Sequence, residues 1–419
     1  MGLLRLIEGL LPAEEALRVT ASRCLRRLAK SGRCDACARV CPAGAVSLDG
    51  DQPVAVDDEQ CLRCGICTAL CPTEALELPS VAAARLLERV ERRRGKGAAD
   101  RADLRFACTL GPTRPEAAPG DALRLPCLGS LSPSVLAALA LRCGRIELLV
   151  SEAGCGTCRL KDQGWPALQR AVGEAGHVLD FFGLQSTGTS GCPGADVRIT
   201  LPQDVPVQSG ERPAAGSGET LTSRKEFLAS LTRGATRLGA SLLPSALPGD
   251  TQADRGEDRT RGRVPEGRAL LLETLRGSPA YPFAEGALPP SEPQPERVLP
   301  FGHVQVSSAC EGCDICTRVC PADALTKAVE GEQGVLRHEP ARCLKCGTCA
   351  RACPHHAIVV EEPHSPAEVF GQARVVAEFS LRTCRWCGRT FWGKEQDACQ
   401  ACQVKLEWAR TTVSTLGTS

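Results

Sequence analysis

The sequence predicts a multidomain chain of the α+β class, and three observations carry that prediction. Cysteine runs ending in Cys-Pro recur in two separate stretches of the 419 residues. Between them, residues 104–185 alternate short apolar strands with helices, the pattern of a small α/β domain with a largely parallel sheet. Near the end, two C-x2-C pairs stand eleven residues apart.

The most complete run is Cys61-Leu-Arg-Cys64-Gly-Ile-Cys67-Thr-Ala-Leu-Cys71-Pro72. It reads C-x2-C-x2-C-x3-C-P, in which three thiolates hold one [4Fe–4S] cluster and the fourth holds its neighbour. Thiolates two residues apart wrap one corner of a cubane in a tight loop. The fourth leaves on the following helical turn, and the proline keeps the backbone from closing over the cluster. Full copies recur at Cys310-Cys313-Cys316-Cys320-Pro321 and Cys343-Cys346-Cys349-Cys353-Pro354. A broken copy sits at Cys34-Cys37-Cys41-Pro42, where register puts Ser31 in place of the first cysteine. Cys24, ten residues before Cys34, is expected to supply the missing ligand. The other reading makes it a small core residue and leaves a three-iron or site-differentiated cluster. Twenty-six cysteines at ligand spacing in a chain this long do not describe a small disulfide scaffold. They point to a reducing compartment, and the expected location is cytoplasmic.

Residues 13–30 are expected to be helical, with Leu17, Cys24, Leu25 and Leu28 on one side. A turn and hairpin follow over 43–60. A helix over Val81–Lys96 ends in Arg92-Arg93-Arg94, read as a solvated terminus. The motif pair resembles the two-cluster bacterial ferredoxins, in which the two motifs exchange their last cysteines. That resemblance implies a βαββαβ unit over residues 1–98, with Cys24, Cys34, Cys37 and Cys71 on one cluster and Cys61, Cys64, Cys67 and Cys41 on the other. It implies a second 2[4Fe-4S] ferredoxin module over 301–365. There Cys310, Cys313, Cys316 and Cys353 hold one cluster, and Cys343, Cys346, Cys349 and Cys320 the other. His355 and His356, after Pro354, are read as exposed loop residues.

In the central domain, 104–200, the expected strands are Leu104–Cys108, Leu123–Cys127, Ile146–Val150 and Val178–Phe182, with helices at 132–142 and 166–176. Cys108 and Cys127 close their strands, and Cys155 and Cys158 follow the third. Ligands collect beyond the carboxyl ends of parallel strands, so the four make a candidate [2Fe–2S] site. Pro126-Cys127-Leu-Gly129-Ser-Leu, the helix after it and Gly154-Cys155-x2-Cys158 resemble the iron–sulfur (delta) subunit of the methyl-viologen- and F420-reducing hydrogenases. That family binds a [2Fe–2S] cluster and links ferredoxin-type proteins to heterodisulfide reductase. Two other readings stand beside it: a redox dithiol of Cys155 and Cys158 at a helix N-terminus, where the dipole lowers a thiol pKa, or four structural cysteines. Cys143 and Cys192 have no partner at ligand spacing.

Residues 201–300 read as a linker with short helices over Thr222–Leu243 and Glu266–Leu275 and a Pro-rich spacer, Pro279–Pro300. The tail, 376–419, carries Cys384, Cys387, Cys399 and Cys402. Paired knuckles at this spacing read as a structural zinc ribbon, with rubredoxin-like iron as the alternative metal.

The sum is an α+β polyferredoxin with four [4Fe–4S] clusters, a central α/β domain that is a candidate for one [2Fe–2S] cluster, and Zn in the tail. Its expected function is electron transfer between redox protein subunits of hydrogenase, dehydrogenase or heterodisulfide-reductase-like kind, as a subunit rather than a standalone enzyme. Two other classes remain: a disulfide oxidoreductase working through Cys155 and Cys158, and a redox sensor or adaptor. A net charge of +1 argues against a nucleic-acid partner. No apolar run is long enough to span a membrane, and neither G-x-G-x-x-G nor a P-loop occurs. With nine Phe, four Trp and one Tyr, the chain is poor in aromatic bulk, so metal ligation is expected to supply part of the folding free energy.

Overall fold

Each cysteine-rich stretch folds so that its first and last strands pair and enclose a hairpin. In the first, Arg18–Val19 pairs antiparallel with Leu76–Glu77, and Val46–Ser47 with Ala55–Val56. In the second, His303–Val306 pairs with Ile358–Glu361, and Leu325–Glu330 with Gln333–His338. Short helices lie between the strands: Ala36–Arg39 and Ile66–Leu70, then Ile315–Arg318 and Thr348–Ala352. None could stand alone at that length. The structure, a computed structural model, describes residues 16–28, 34–49, 53–94, 104–111, 122–150, 152–184, 198–200, 263–283, 298–331, 333–393, 396–399 and 401–406.

The helix expected over 13–30 is replaced by other structure where the chain is described. Arg18–Val19 is a strand, Ala21–Arg23 a 3-10 turn, and Leu25–Leu28 a single helical turn. The N–H of Thr20 donates to the carbonyl of Ala75 at 2.8 Å, and this cross-strand pairing outweighs the weak preference of a short helix.

The central sheet is parallel throughout, in the order Leu123–Leu125, Leu104–Cys108, Arg145–Leu149, Arg198–Thr200. Val178–Phe182 is not a strand. It lies at the end of the helix Lys161–Phe181, because a short apolar run in a buried helix has the same look as a buried strand. The helix Pro133–Cys143 starts under a cap: Ser132 Oγ accepts the N–H of Val135 at 3.4 Å, with Pro133 at its first position. Its residues Val135 to Ala140 are all buried, so it needs partners on more than one side. It packs on the helices Lys161–Phe181 and Glu266–Arg276. The helix Ala83–Arg94 closes the sheet edge. Arg89 donates to the carbonyl of Arg124 at 2.9 Å and Arg93 to that of Ala122 at 3.3 Å, so Arg93 at least is a docked residue and not a free terminus.

One apolar core joins these parts. Leu76, Leu78 and Leu86 of the first module, Phe106, Leu136 and Ile146 of the central domain, and Phe301 and Val369 near the second module belong to it. From the expected spacer, Tyr281 and Phe283 pack on Phe182 and Phe370. The expected helix Thr222–Leu243 lies outside the described residues. The tail continues the second module's hairpin into a four-stranded antiparallel sheet with Arg374–Thr383 and Thr390–Gly393. Trp392 seats on Gly334: a Cβ there would meet its ring at 2.6 Å. Among the described residues no helix is long and apolar enough to cross a membrane.

Candidate metal centres

The three intact cysteine loops share one backbone device. Arg63, Gly312 and Lys345, each just before a second cysteine, adopt positive φ, as do Gly65, Asp314 and Gly347 just after it. Two left-handed residues flanking a cysteine curl the loop so that successive thiols face one centre, and the residue after it opens the short helix that carries the third thiol. Gly65 has a second constraint. A Cβ there would come within 2.8 Å of Cβ of Ser130, so the first module's loop touches the central domain at this point.

Each fourth cysteine is held by its own downstream backbone. The N–H groups of Ala45, Ala75, Ala324 and Ala357 donate to Sγ of Cys41, Cys71, Cys320 and Cys353 at 3.3, 3.2, 3.2 and 3.4 Å. The turn before each donor contains another positive-φ residue: Gly44, Glu74, Asp323 or His356. The broken copy therefore has the same ending as the intact ones.

The thiols fall into groups through their mutual fields. Cys37 is pushed up to about 11 by burial, with Cys71, Cys34 and Cys24 adding like charge. Cys24 is likewise raised by burial and then by Cys71 and Cys34. Burial raises Cys64 to about 11, and Cys67 higher still, with Cys41 and Cys61 among the neighbours of both. In the second module, burial raises Cys316 to about 12 beside Cys310, Cys313 and Cys353. It raises Cys343 to about 11 beside Cys320 and Cys346, and Cys349 to about 12 among all three. The two groups of each module adjoin: Cys37 is among the charges felt by Cys67, and Cys316 among those felt by Cys349.

In the central domain, Cys108 is raised, first by its hydrogen bond with the Cys127 thiol and then by burial. Sγ of Cys108 also accepts the N–H of Leu128 at 3.3 Å. Burial pushes Cys155 up to about 12, with Cys127 and Cys158 adding like charge. Cys155 is the fourth residue of the short helix Glu152–Gly156, and Cys158 lies in the turn before Lys161–Phe181. Neither is the first residue of a helix, though Sγ of Cys158 accepts the N–H of Leu160, the residue that caps Lys161–Phe181, at 3.4 Å. Cys127 is also among the charges felt by Cys64, and both thiols belong to one small apolar cluster with Ile66 and Leu160. Cys143 is buried at the end of its helix, and Cys192 lies outside the described residues.

In the tail, Sγ of Cys384, Cys387, Cys399 and Cys402 lie within 4.8 Å of one another. Sγ of Cys387 and Cys399 are 3.7 Å apart. A tetrahedron of sulfurs about 2.3 Å from one ion has edges of about 3.8 Å. The N–H of Cys399 donates to Sγ of Cys384 at 3.3 Å and pulls that thiol down to about 6. Among the described residues no other three metal-ligating side chains converge so closely. The four ferredoxin-type groups are therefore wider than a single-ion site.

These groups suit polynuclear clusters chemically. They are all sulfur, walled by apolar side chains, and composed of thiols whose ionised forms repel one another until a cation lies among them. Phe379 and Trp392, stacked with ring centroids 5.7 Å apart, cover the cavity of Cys310, Cys313, Cys316 and Cys353. Lys327 Nζ lies 3.9 Å from the Trp392 ring centroid. His338, 1% exposed, lines the cavity of Cys320, Cys343, Cys346 and Cys349. Sequence reading missed these wall residues, because their role depends on where the tail sheet lands. It also passed over Glu74 and Arg268, which lie next to Cys71 and Cys343.

Comparison with known proteins reaches the two modules. The 4Fe–4S dicluster domain matches residues 32–75 and 309–357. The chain is 42% identical over 45 residues to a component of the ion-translocating oxidoreductase complex of Methanosarcina acetivorans, covering 11% of this chain and 17% of that one. It is 33% identical over 51 residues to an uncharacterized ferredoxin of Methanocaldococcus jannaschii, covering 12% of this chain and 82% of the ferredoxin. With most of a whole ferredoxin matched, this chain belongs to the 4Fe–4S dicluster ferredoxins, proteins of electron transfer.

Proposed function

We propose that the chain relays single electrons between partner subunits of a redox complex. The observation that carries this reading is that Cys64 of the first module and Cys127 of the central domain lie in one small apolar cluster, with Cys64 in the field of Cys127. A chain that only stored electrons, or only sensed them, has no need to abut two kinds of thiol group. Cys24, Cys34, Cys37 and Cys71 hold one [4Fe–4S] cluster, and Cys41, Cys61, Cys64 and Cys67 a second. Cys310, Cys313, Cys316 and Cys353 hold a third, and Cys320, Cys343, Cys346 and Cys349 a fourth. Cys108, Cys127, Cys155 and Cys158 hold a [2Fe–2S] cluster, and the tail holds zinc. When bound, these clusters supply one-electron centres whose potentials depend on hydrogen bonds to sulfur, burial and nearby charge.

The chain's own residues do the rest. Ala45, Ala75, Ala324 and Ala357 donate to the exchanged cysteines and so ease accumulation of negative charge. Phe379 and Trp392 wall the group of Cys310, Cys313, Cys316 and Cys353 with apolar rings. The tail ribbon is structural, tied to the second module through a shared sheet. The partners in this reading are hydrogenase, dehydrogenase or heterodisulfide-reductase-like subunits in the cytoplasm. The relative in an ion-translocating oxidoreductase complex and the resemblance of Cys127 and its surroundings to a hydrogenase iron–sulfur subunit support that class.

Anaerobic reconstitution with elemental analysis and EPR tests the reading. The expected content is about 18 iron and about one zinc per chain. Iron near half that value in fully reconstituted, intact protein, or no one-electron exchange with a reduced viologen, overturns it.

A further inference from the structure

The helix Glu266–Arg276 lies where the two ferredoxin modules meet. The N–H groups of Glu266 and Gly267 donate to the two carboxylate oxygens of Glu74 at 2.6 and 2.9 Å. Glu74 follows Cys71 by three residues, and its N–H donates to the carbonyl of Cys71 at 3.1 Å. Arg23 stands on the other side of that carboxylate, 3.9 Å away. Arg268 comes next on the helix and is 6% exposed. Its guanidinium lies over the Phe301 ring, 4.3 Å from the centroid. It donates to the carbonyls of Ala341 at 3.5 Å, Cys343 at 3.4 Å and Pro300, while its Nε has no partner among the described residues. Beside this link, Thr73, whose Oγ1 is 3.7 Å from Sγ of Cys71, shares a small crevice with Pro321 and Leu344, the residues that follow Cys320 and Cys343. The group of Cys24, Cys34, Cys37 and Cys71 therefore faces the group of Cys320, Cys343, Cys346 and Cys349, with the buried Arg268 guanidinium between them and Arg23 at the edge of the same crevice.

A buried guanidinium is costly unless negative charge answers it. Carbonyl oxygens carry only partial charge. The ionisable groups whose fields favour its charged form are Cys343 and Glu74, one from each module. A guanidinium is too basic to lose its proton near neutral pH, so the charge stays.

We propose that Arg268 is a counter-charge shared by these two thiolate groups, and that electrons pass between the two modules at the junction it occupies. This rests on the relay reading above. One electron leaves the reduced centre on one side, which is oxidised, and reduces the centre on the other. No proton moves and no bond changes. A low-potential one-electron carrier protein supplies the electron and a one-electron acceptor takes it. With Cys349 in the field of Cys316, Cys67 in that of Cys37 and Cys64 in that of Cys127, the junction completes a line running from Cys310 and Cys313 to Cys155 and Cys158.

The test is an EPR-monitored potentiometric titration of the full-length reconstituted chain. In R268Q, two of the cubane signals lose about tenfold in reduced-to-oxidised ratio at a fixed poise, about 59 mV for a one-electron centre, and the others stay. R268K keeps the charge and stays near wild type. E74Q keeps an acceptor for the helix N–H groups and removes negative charge, so it moves the signal nearest Cys71 the opposite way. It carries the test should R268Q fail to retain iron. Signals that all stay, or all move together, overturn the proposal, as does R268K behaving like R268Q. A wild-type protein without cubane signals would instead overturn the relay reading itself.

Discussion

The backbone N–H of Thr20 bonds to the carbonyl of Ala75 at 2.8 Å, four residues ahead of Cys24. Asp57 bonds to Ala45 in the same way four residues ahead of Cys61, and Glu339 to Ala324 four residues ahead of Cys343. Cys24 stands at the offset of Cys61 and Cys343, against three residues from Ser307, which bonds to Ala357, to Cys310; the chain then runs ten residues to Cys34 where the intact copies run three. Cys24→Ala should therefore lose one cubane signal or convert it to a three-iron signal in EPR, with the other three unchanged. An unaltered spectrum and iron count would return Cys24 to the core.

Trp392 covers the outermost thiol group and lies against Gly334. Trp392→Ala should cost about 3–5 kcal/mol in denaturant unfolding. Gly334→Ala should cost about 1–3 kcal/mol, because the added methyl meets the indole ring. In both variants one cubane should bleach in air faster than the rest. Equal bleaching of all of them would show that the rings do not shield this group.

His338 is buried between strands, and burial lowers its pKa to about 4, with His303 and Arg374 adding positive field. The unfolded chain takes up the proton near pH 6.5 and the folded chain does not. Stability is therefore full above pH 6.5 and falls as pH drops toward 4, by up to about 3 kcal/mol from this residue. His338→Gln should flatten the pH dependence of the urea midpoint across that window relative to wild type. Parallel curves for the two proteins would remove His338 from the account.

Cys108, Cys127, Cys155 and Cys158 should behave as one set. Replacing any of them with Ala should abolish the same spectroscopic signal and leave the cubanes intact. In the reconstituted protein all four should resist alkylation mapped by mass spectrometry. Rapid alkylation of Cys155 and Cys158 alone, unaffected by Cys108→Ala, would favour the dithiol.

The cysteine spacing by itself announced the iron–sulfur motifs and the tail knuckles, and short apolar runs announced three of the four central strands, because each depends on residues within a few positions of one another. The helix Glu266–Arg276 was legible too, to within one residue. Sequence could not separate Val178–Phe182 from a strand, since a helix buried on several sides shows no polar face. It could not see that Arg18–Val19 would be claimed by Leu76–Glu77, some sixty residues away. Nor could it place Glu74, Arg268, Ser130 or Trp392 beside the thiols. Those positions depend on one apolar core being shared by segments far apart in the chain, and burial of that kind has no local signature. The cysteine motifs were written in spacing. Their neighbours were decided by packing.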